Sequence, residues 1–174
     1  QALYKVDFEV RPGEVMALVG DNGAGKSTLI KGIAGIYPFN EGSVAFKGSP
    51  VTIHSPRDAA GLGIEIVYQD LALADNLDVV ANMFLGREET SGLVLDEVHM
   101  EHSGRAALDT LSVKTLRSVR QTVAGLSGGQ RQAVAVAKAV MWKSTVVILD
   151  EPTAALGVAQ TRQVLDLVRR LADT

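Results

Sequence analysis

The chain has 174 residues, 47% of them hydrophobic and 21% charged, with a net charge of −3, which suits one domain with a core of its own. The acidic balance gives no electrostatic case for nucleic acid, the lack of cysteine excludes disulfides and thiolate metal sites and fits a reducing compartment, and no apolar run approaches the roughly 18 residues of a membrane span. The chain begins at Gln1 without a methionine, so residues are expected upstream, and its start reads as strand rather than signal peptide.

Val6, Phe8 and Val10 alternate with Lys5, Asp7 and Glu9, which predicts a half-buried strand. Arg11-Pro12-Gly13-Glu14 then turns the chain into Val15–Val19, an apolar run of the kind that forms a buried parallel strand. Gly20-Asp21-Asn22-Gly23-Ala24-Gly25-Lys26-Ser27-Thr28 follows and fits the phosphate-binding pattern G-x-x-x-x-G-K-[ST]. Its glycines let the backbone turn tightly and come close to a phosphate. Successive N–H groups and the next helix's N-terminus make an anion nest. Lys26 supplies a mobile point charge for the β- and γ-phosphates, and Ser27 offers a hydroxyl to Mg²⁺. Leu29, Ile30 and Ile33 recur at helical spacing, with Gly35 as the stop.

Val44–Phe46 and Val51–Ile53 read as strands around Lys47-Gly48, and Ser55-Pro56-Arg57-Asp58 opens a short helix ending at Gly61 and Gly63. Ile64–Tyr68 is a strand running into Gln69-Asp70. Residues 75–112 read as broken helix: Asp78 caps one piece, Gly86–Gly92 is polar loop, and Asp96 caps another through Leu111, weakened by Gly104. Residues 112–125 carry no clear period. Gly128–Met141 is helical, Thr145–Leu149 is a buried strand, and Val158–Leu171 is an amphipathic helix. The alternation of strands and helices gives an α/β fold with a largely parallel sheet, interrupted by a helical insert over about 71–125.

Several residues have a plainer reading than a functional one. His99 and His102 lie three apart, but with no third ligand nearby they read as an exposed helix face, and His54 reads as loop. Lys114, Arg117 and Arg120 read as a solvated basic face, and Trp142 and Tyr37 as packing residues rather than base-stacking ones.

Two more constellations carry chemistry. Val146–Leu149 runs into Asp150-Glu151, placing Asp150 at the carboxyl edge of a strand, where α/β folds bind ligands. Asp150 can hold Mg²⁺, and Glu151, pointing elsewhere, can polarise an attacking water. Leu126-Ser127-Gly128-Gly129-Gln130 makes a second phosphate-sized nest at a helix start. Two anion sites about a hundred residues apart suit two copies paired head to tail about a two-fold axis, each completing the other's site.

Taken together the chain resembles the ATPase domain of ABC transporters over essentially all its length. Gly20–Ser27 is similar to the Walker A loop, Gln69 to the Q-loop glutamine, Leu126–Gln130 to the family signature, and Val146–Asp150 with Glu151-Pro152-Thr153 to Walker B and its catalytic glutamate. Asn82–Glu88 and Glu151–Gly157 most resemble bacterial monosaccharide importers of ribose, xylose and fructose type. The resemblance implies a RecA-like P-loop core (about 1–70 and 126–174) with an N-terminal antiparallel β subdomain and the inserted helical signature subdomain. It implies ATP and Mg²⁺ as ligands. Gly20–Thr28 would hold the phosphates, and Ser27, Gln69 and Asp150 would serve Mg²⁺. Glu151, Gln69 and Lys26 would be catalytic, and Ser127, Gly128, Gly129 and Gln130 would meet the ATP of a partner copy. The implied partners are membrane permease subunits, docked on the helical insert, a second ATPase domain (as homodimer or tandem repeat) and, indirectly, a periplasmic-type sugar-binding protein. The implied place is the cytoplasmic face of the membrane, as a peripheral subunit.

The departures are Gly157, where the family usually has aspartate but where the monosaccharide-importer subgroup shares the glycine, so that it reads as lineage, and the absence of a switch histidine and of an adenine-stacking aromatic. The chain therefore reads as a fragment, truncated at its C-terminal end. The strand carrying that histidine is expected between Val15–Val19 and Thr145–Leu149, so the 174 residues alone are expected to fold poorly and to be inactive. The other readings are a soluble ATPase of the family acting on DNA or ribosomes, an importer ATPase for another small solute, and a binding-only regulatory domain. The stretch from Lys26 to Ser127 has no sustained heptads, against the coiled-coil DNA type, and intact Lys26, Asp150 and Glu151 stand against the binding-only reading.

Overall fold

The computed structural model describes residues 2–172 apart from 112, 114, 115, 143 and 155. Helix α1, Lys26–Ile33, starts directly from the glycine-rich loop and stops where Gly35 takes φ +71°. There the Gly35 N–H donates to Gly32 O (3.0 Å) and the Ile36 N–H to Lys31 O (2.9 Å), the paired bonds of a Schellman cap. A Cβ at Gly35 would also lie 2.4 Å from Ser55 O, so glycine is required there for space as well as for conformation.

Strands β1 (Val44–Phe46) and β2 (Ser49–Val51) form an antiparallel hairpin. Lys47 and Gly48 both take positive φ, as a two-residue type I′ turn needs. The second strand thus begins and ends two residues earlier than expected, and Ile53 is buried in the core instead. Helix α2, Pro56–Gly61, is capped as the sequence predicts: the Asp58 N–H donates to Ser55 Oγ, while the His54 N–H donates to the Asp58 carboxylate at 3.0 Å. The His54 N–H, and then the Ser55 hydroxyl, by hydrogen-bonding to the Asp58 carboxyl hold it below its ordinary value.

Strand β3 (Ile64–Val67) is followed by α3 (Val79–Phe84), the two-residue strands β4 (Thr90–Ser91) and β5 (Val94–Leu95), α4 (Glu97–Thr110), a 3₁₀ turn at Val123–Gly125, and α5 (Gly128–Met141). Then come β6 (Val146–Leu149) and α6 (Val158–Ala172). Strands β3 and β6 pair in parallel, Ile64 opposite Val146 and Val67 opposite Leu149. All the intervening chain is the crossover that parallel pairing requires. Both faces of this pair are covered, as a parallel sheet needs. Val67, Val147 and Leu149 join a large cluster with α3, α4 and α5, while Ile64, Val146 and Ile148 meet Ile53, Ala59 and the β1–β2 hairpin.

The insert packs on α5. Val79, Met83, Val123, Val134 and Val136 are completely buried, and Phe84 meets Trp142 edge to face with ring centroids 5.5 Å apart. Buried Asn82 accepts the Ala74 N–H at 2.7 Å and donates to Ala74, Leu77 and Asp78 carbonyls, which folds the preceding loop onto α3.

Four expectations need correction. Val6–Val10 and Val15–Val19 lie in no ladder among the described residues, and Val6, Val15 and Val19 stand 51–84% exposed. An alternating or apolar run becomes strand only when another backbone pairs with it. Gly86–Gly92 is not plain loop, because its last residues form the β4–β5 hairpin around Gly92. Arg120 is not merely solvated: it faces Asp78 (3.6 Å), Glu97 (3.2 Å) and Glu101 (2.9 Å), tying the cap of α3 to the first turns of α4. Lys114 lies outside the described residues. Tyr37 is not packed either; it stays 54% exposed with Lys31 Nζ over its ring. Among the described residues no helix is long and apolar enough to cross a membrane.

Candidate nucleotide site

The loop before α1 has the backbone the phosphate pattern asks for. Gly23 and Gly25 take φ +87° and +91°. A Cβ at Gly25 would come within 2.7 Å of Ala2 O, so the N-terminal segment passes directly over this turn. Lys26 Nζ donates to Gly20 O (2.6 Å) and Asp21 O (2.9 Å). Its ammonium thus curls into the loop on main-chain carbonyls, with no carboxylate within ion-pair distance among the described residues. That is a cation without a counter-charge at the mouth of an N–H nest, the arrangement that suits a phosphate.

Gln69 and Asp150 leave the same end of the paired strands β3 and β6, and the Asp150 N–H extends the ladder to Val67 O at 2.9 Å. The sequence-predicted pair is therefore brought together at the carboxyl edge. Tyr68, between Val67 and Gln69, has its hydroxyl pushed up by burial and then by the charge of Asp150. Glu151 takes φ +48°, in the left-handed region, and its carbonyl accepts the Ala154 N–H at 3.1 Å. Its direction from the strand end thus differs from that of Asp150, and the strain falls on a residue expected to act.

Ser127 caps α5 through a complete capping box: the Gln130 N–H donates to Ser127 Oγ (3.4 Å) and the Ser127 N–H to Gln130 Oε1 (2.9 Å). Gly128 and Gly129 form the first turn, overlaid by Leu156 and Gln160 from the segment after Glu151.

Sequence reasoning missed how this nest is tied to the residues after Gln69. Residues 75–80 run beside 119–124: Val79 N–H to Gln121 O (3.1 Å), Val80 N–H to Val119 O (3.2 Å), Val123 N–H to Leu77 O (3.0 Å) and Ala124 N–H to Asp75 O (3.0 Å). Arg131, on the first turns of α5, pairs with Asp75 at 2.7 Å and reaches the Ala124 carbonyl. The only sequence signal was an Arg beside the signature glutamine. His99 Nε2 faces the Glu89 carboxylate at 3.2 Å, and no cluster of three or more metal-ligating side chains occurs among the described residues.

Residues 3–154 match the ABC transporter family. The chain belongs to that family. It is an ABC-type ATPase domain, which binds nucleotide and hydrolyses ATP. It is 49% identical over 174 residues to the fructose import ATP-binding protein FrcA of Rhizobium meliloti, covering 96% of this chain and 67% of that protein. It is 40% identical over 173 residues to the ribose import ATP-binding protein RbsA of Yersinia pestis, covering 99% of this chain and 34% of that protein. Among solved structures, cbiO1 from Clostridium perfringens, part of the ABC transporter complex cbiONQ, is 29% identical with a TM-score of 0.80, covering 99% of this chain and 67% of that one. The ABC domain described here thus spans about two thirds of one curated relative and about a third of the other.

Proposed function

We propose that this ABC domain is the ATP-binding part of a monosaccharide importer and works as a head-to-tail pair at the cytoplasmic side of a membrane permease. The names of its sugar-import relatives support the substrate class. What supports the mechanism is the presence of two glycine-rich helix starts, the loop before α1 and the first turn of α5, on one chain.

In this reading the N–H groups of Gly23–Thr28 and Lys26 hold the β- and γ-phosphates of ATP, Lys26 leaving its loop carbonyls for a stronger anionic acceptor. The donor set Ser27 hydroxyl, Gln69 amide oxygen and Asp150 carboxylate is hard, oxygen-only and incomplete by itself, which fits Mg²⁺ held jointly with phosphate oxygens and water. Bound there, Mg²⁺ would neutralise charge on the transferring phosphoryl group. Glu151 orients and polarises the attacking water. Ser127 and Gly129 close the site from the second copy, so positioning and charge stabilisation supply most of the catalysis. The helical insert (71–125) is the surface offered to the permease.

Glu151→Gln keeps shape and hydrogen bonding but loses the base. In the full-length protein it is expected to bind MgATP, turn over slowly and accumulate as a closed dimer in sedimentation. A variant that hydrolyses like the parent removes Glu151 from this role.

A further inference from the structure

Gly157 is where the family resemblance leads one to expect an aspartate. The backbone is not the reason, because Gly157 does not have the positive φ that would demand glycine. A side chain at 157 would instead meet Gln160: a Cβ there would lie 2.8 Å from Gln160 Oε1, the far end of a flexible side chain, which would have to move aside. Gln160, on the first turn of α6, is half-buried, and its amide occupies the place a side chain at 157 would take. The Thr161 N–H bonds to Gly157 O at 2.9 Å, which fixes the start of α6 against this loop.

The same side chain closes a second gap. The stem of Gln160 lies 3.1 Å (Cγ) and 3.3 Å (Cβ) from where a Cβ on Gly129 would be, with Gln163 Oε1 at 3.7 Å. Leu156 sits likewise over Gly128, at 3.2 Å. One glutamine therefore bridges the turn that follows Glu151 and the first turn of α5.

We infer that Gln160 is a positioning residue for ATP hydrolysis: it fills the space left by the missing side chain at 157 and locks the loop after Glu151 to the Ser127–Gly129 nest. This rests on the proposed roles of Glu151 and the nest. A loose lock leaves ATP binding at the Lys26 loop intact, because the space Gln160 fills lies at Gly129 and Gly157. It misplaces the two catalytic halves relative to each other, and a misplacement of about 1 Å can cost on the order of a hundredfold in rate.

The test is steady-state ATPase kinetics, calorimetric MgATP affinity and thermal melting on the full-length protein and three variants. Gln160→Ala is expected to lower kcat about ten- to a hundredfold, with unchanged MgATP affinity. Gly157→Asp, which pushes Gln160 aside, is expected to do the same. The double variant Gly157→Asp/Gln160→Ala, with the acid in the vacated space, is expected to recover most of the parent kcat, a non-additivity that only a shared space explains. Should Gln160→Ala melt below the assay temperature, Gln160→Met keeps the stem over Gly129 and removes the amide against Gly157; the same fall in kcat is expected. Parent-level turnover in the single Gln160 variants, or a double variant as slow as the two single losses multiplied, overturns the inference. Absence of ATPase activity in the parent protein would instead bring down the catalytic reading on which it rests, and the inference with it.

Discussion

Two regions of this ABC domain start from equally apolar sequence and end differently. The insert helices α3 and α4, with α5 packed on them, bury Val79, Met83, Phe84 and Val134 almost completely. The arm before the phosphate loop carries Val6, Phe8, Val10, Val15, Leu18 and Val19, all at least 39% exposed. A helix satisfies its own backbone and needs a neighbour only for one face. A strand needs a neighbour for its backbone as well as its face, and the described residues give the arm none. Apolar patterning therefore specifies what wants to be buried, while only pairing decides whether it is.

The sharpest way to break that contrast is to cut equally into both regions. Phe84→Ala removes a buried ring that meets Trp142 edge to face and is expected to cost about 3–5 kcal/mol. Val19→Ala is expected to stay within about 0.5 kcal/mol, as for a position 84% exposed. Denaturant melts of the two variants check this, and hydrogen exchange should show protected amides in α3 to α5 and unprotected ones over 5–19. Comparable losses at both positions would mean that the arm is packed in solution.

The same contrast explains what the sequence made legible. Gly128–Met141 and the caps at Ser55, Asp78 and Asp96 were readable because capping is local: an oxygen and an N–H three residues apart suffice. The phosphate loop was readable from the spacing of its glycines and lysine, and the placing of Gln69 and Asp150 at one edge because each follows an apolar strand. The ties between distant segments were not. Nothing in residues 112–125 announces that 119–124 lies against 75–80, nor that Arg120 gathers three carboxylates from two helices. Gly157 was visible as a departure, but its partner Gln160 appears only when α6 is folded back on α5.

A smaller effect probes the edge of the insert. The Arg120 guanidinium holds the Glu101 carboxyl below its ordinary value, chiefly through their hydrogen bond. A depressed carboxylate contributes its stability fully above the unfolded-state value and loses it as pH falls through the folded one. Arg120→Ala is expected to lower the melting temperature slightly at neutral pH, by less in high salt, and not at all once the carboxylates are protonated. A loss independent of salt and pH would point to packing by the arginine stem instead.

The central claim is that each working site is built from the phosphate loop of one copy and the α5 nest of another. Mixing two dead variants of the full-length protein tests it most directly. Lys26→Ala removes the cation from its own loop but keeps the nest, whereas Ser127→Arg fills the nest but keeps the loop. Each alone is expected to be nearly inactive. Mixed in equal amounts they form some dimers with one intact composite site, so ATP hydrolysis is expected to return to a substantial fraction of the parent rate. A mixture as dead as its components, with dimers shown to form, would contradict the shared site.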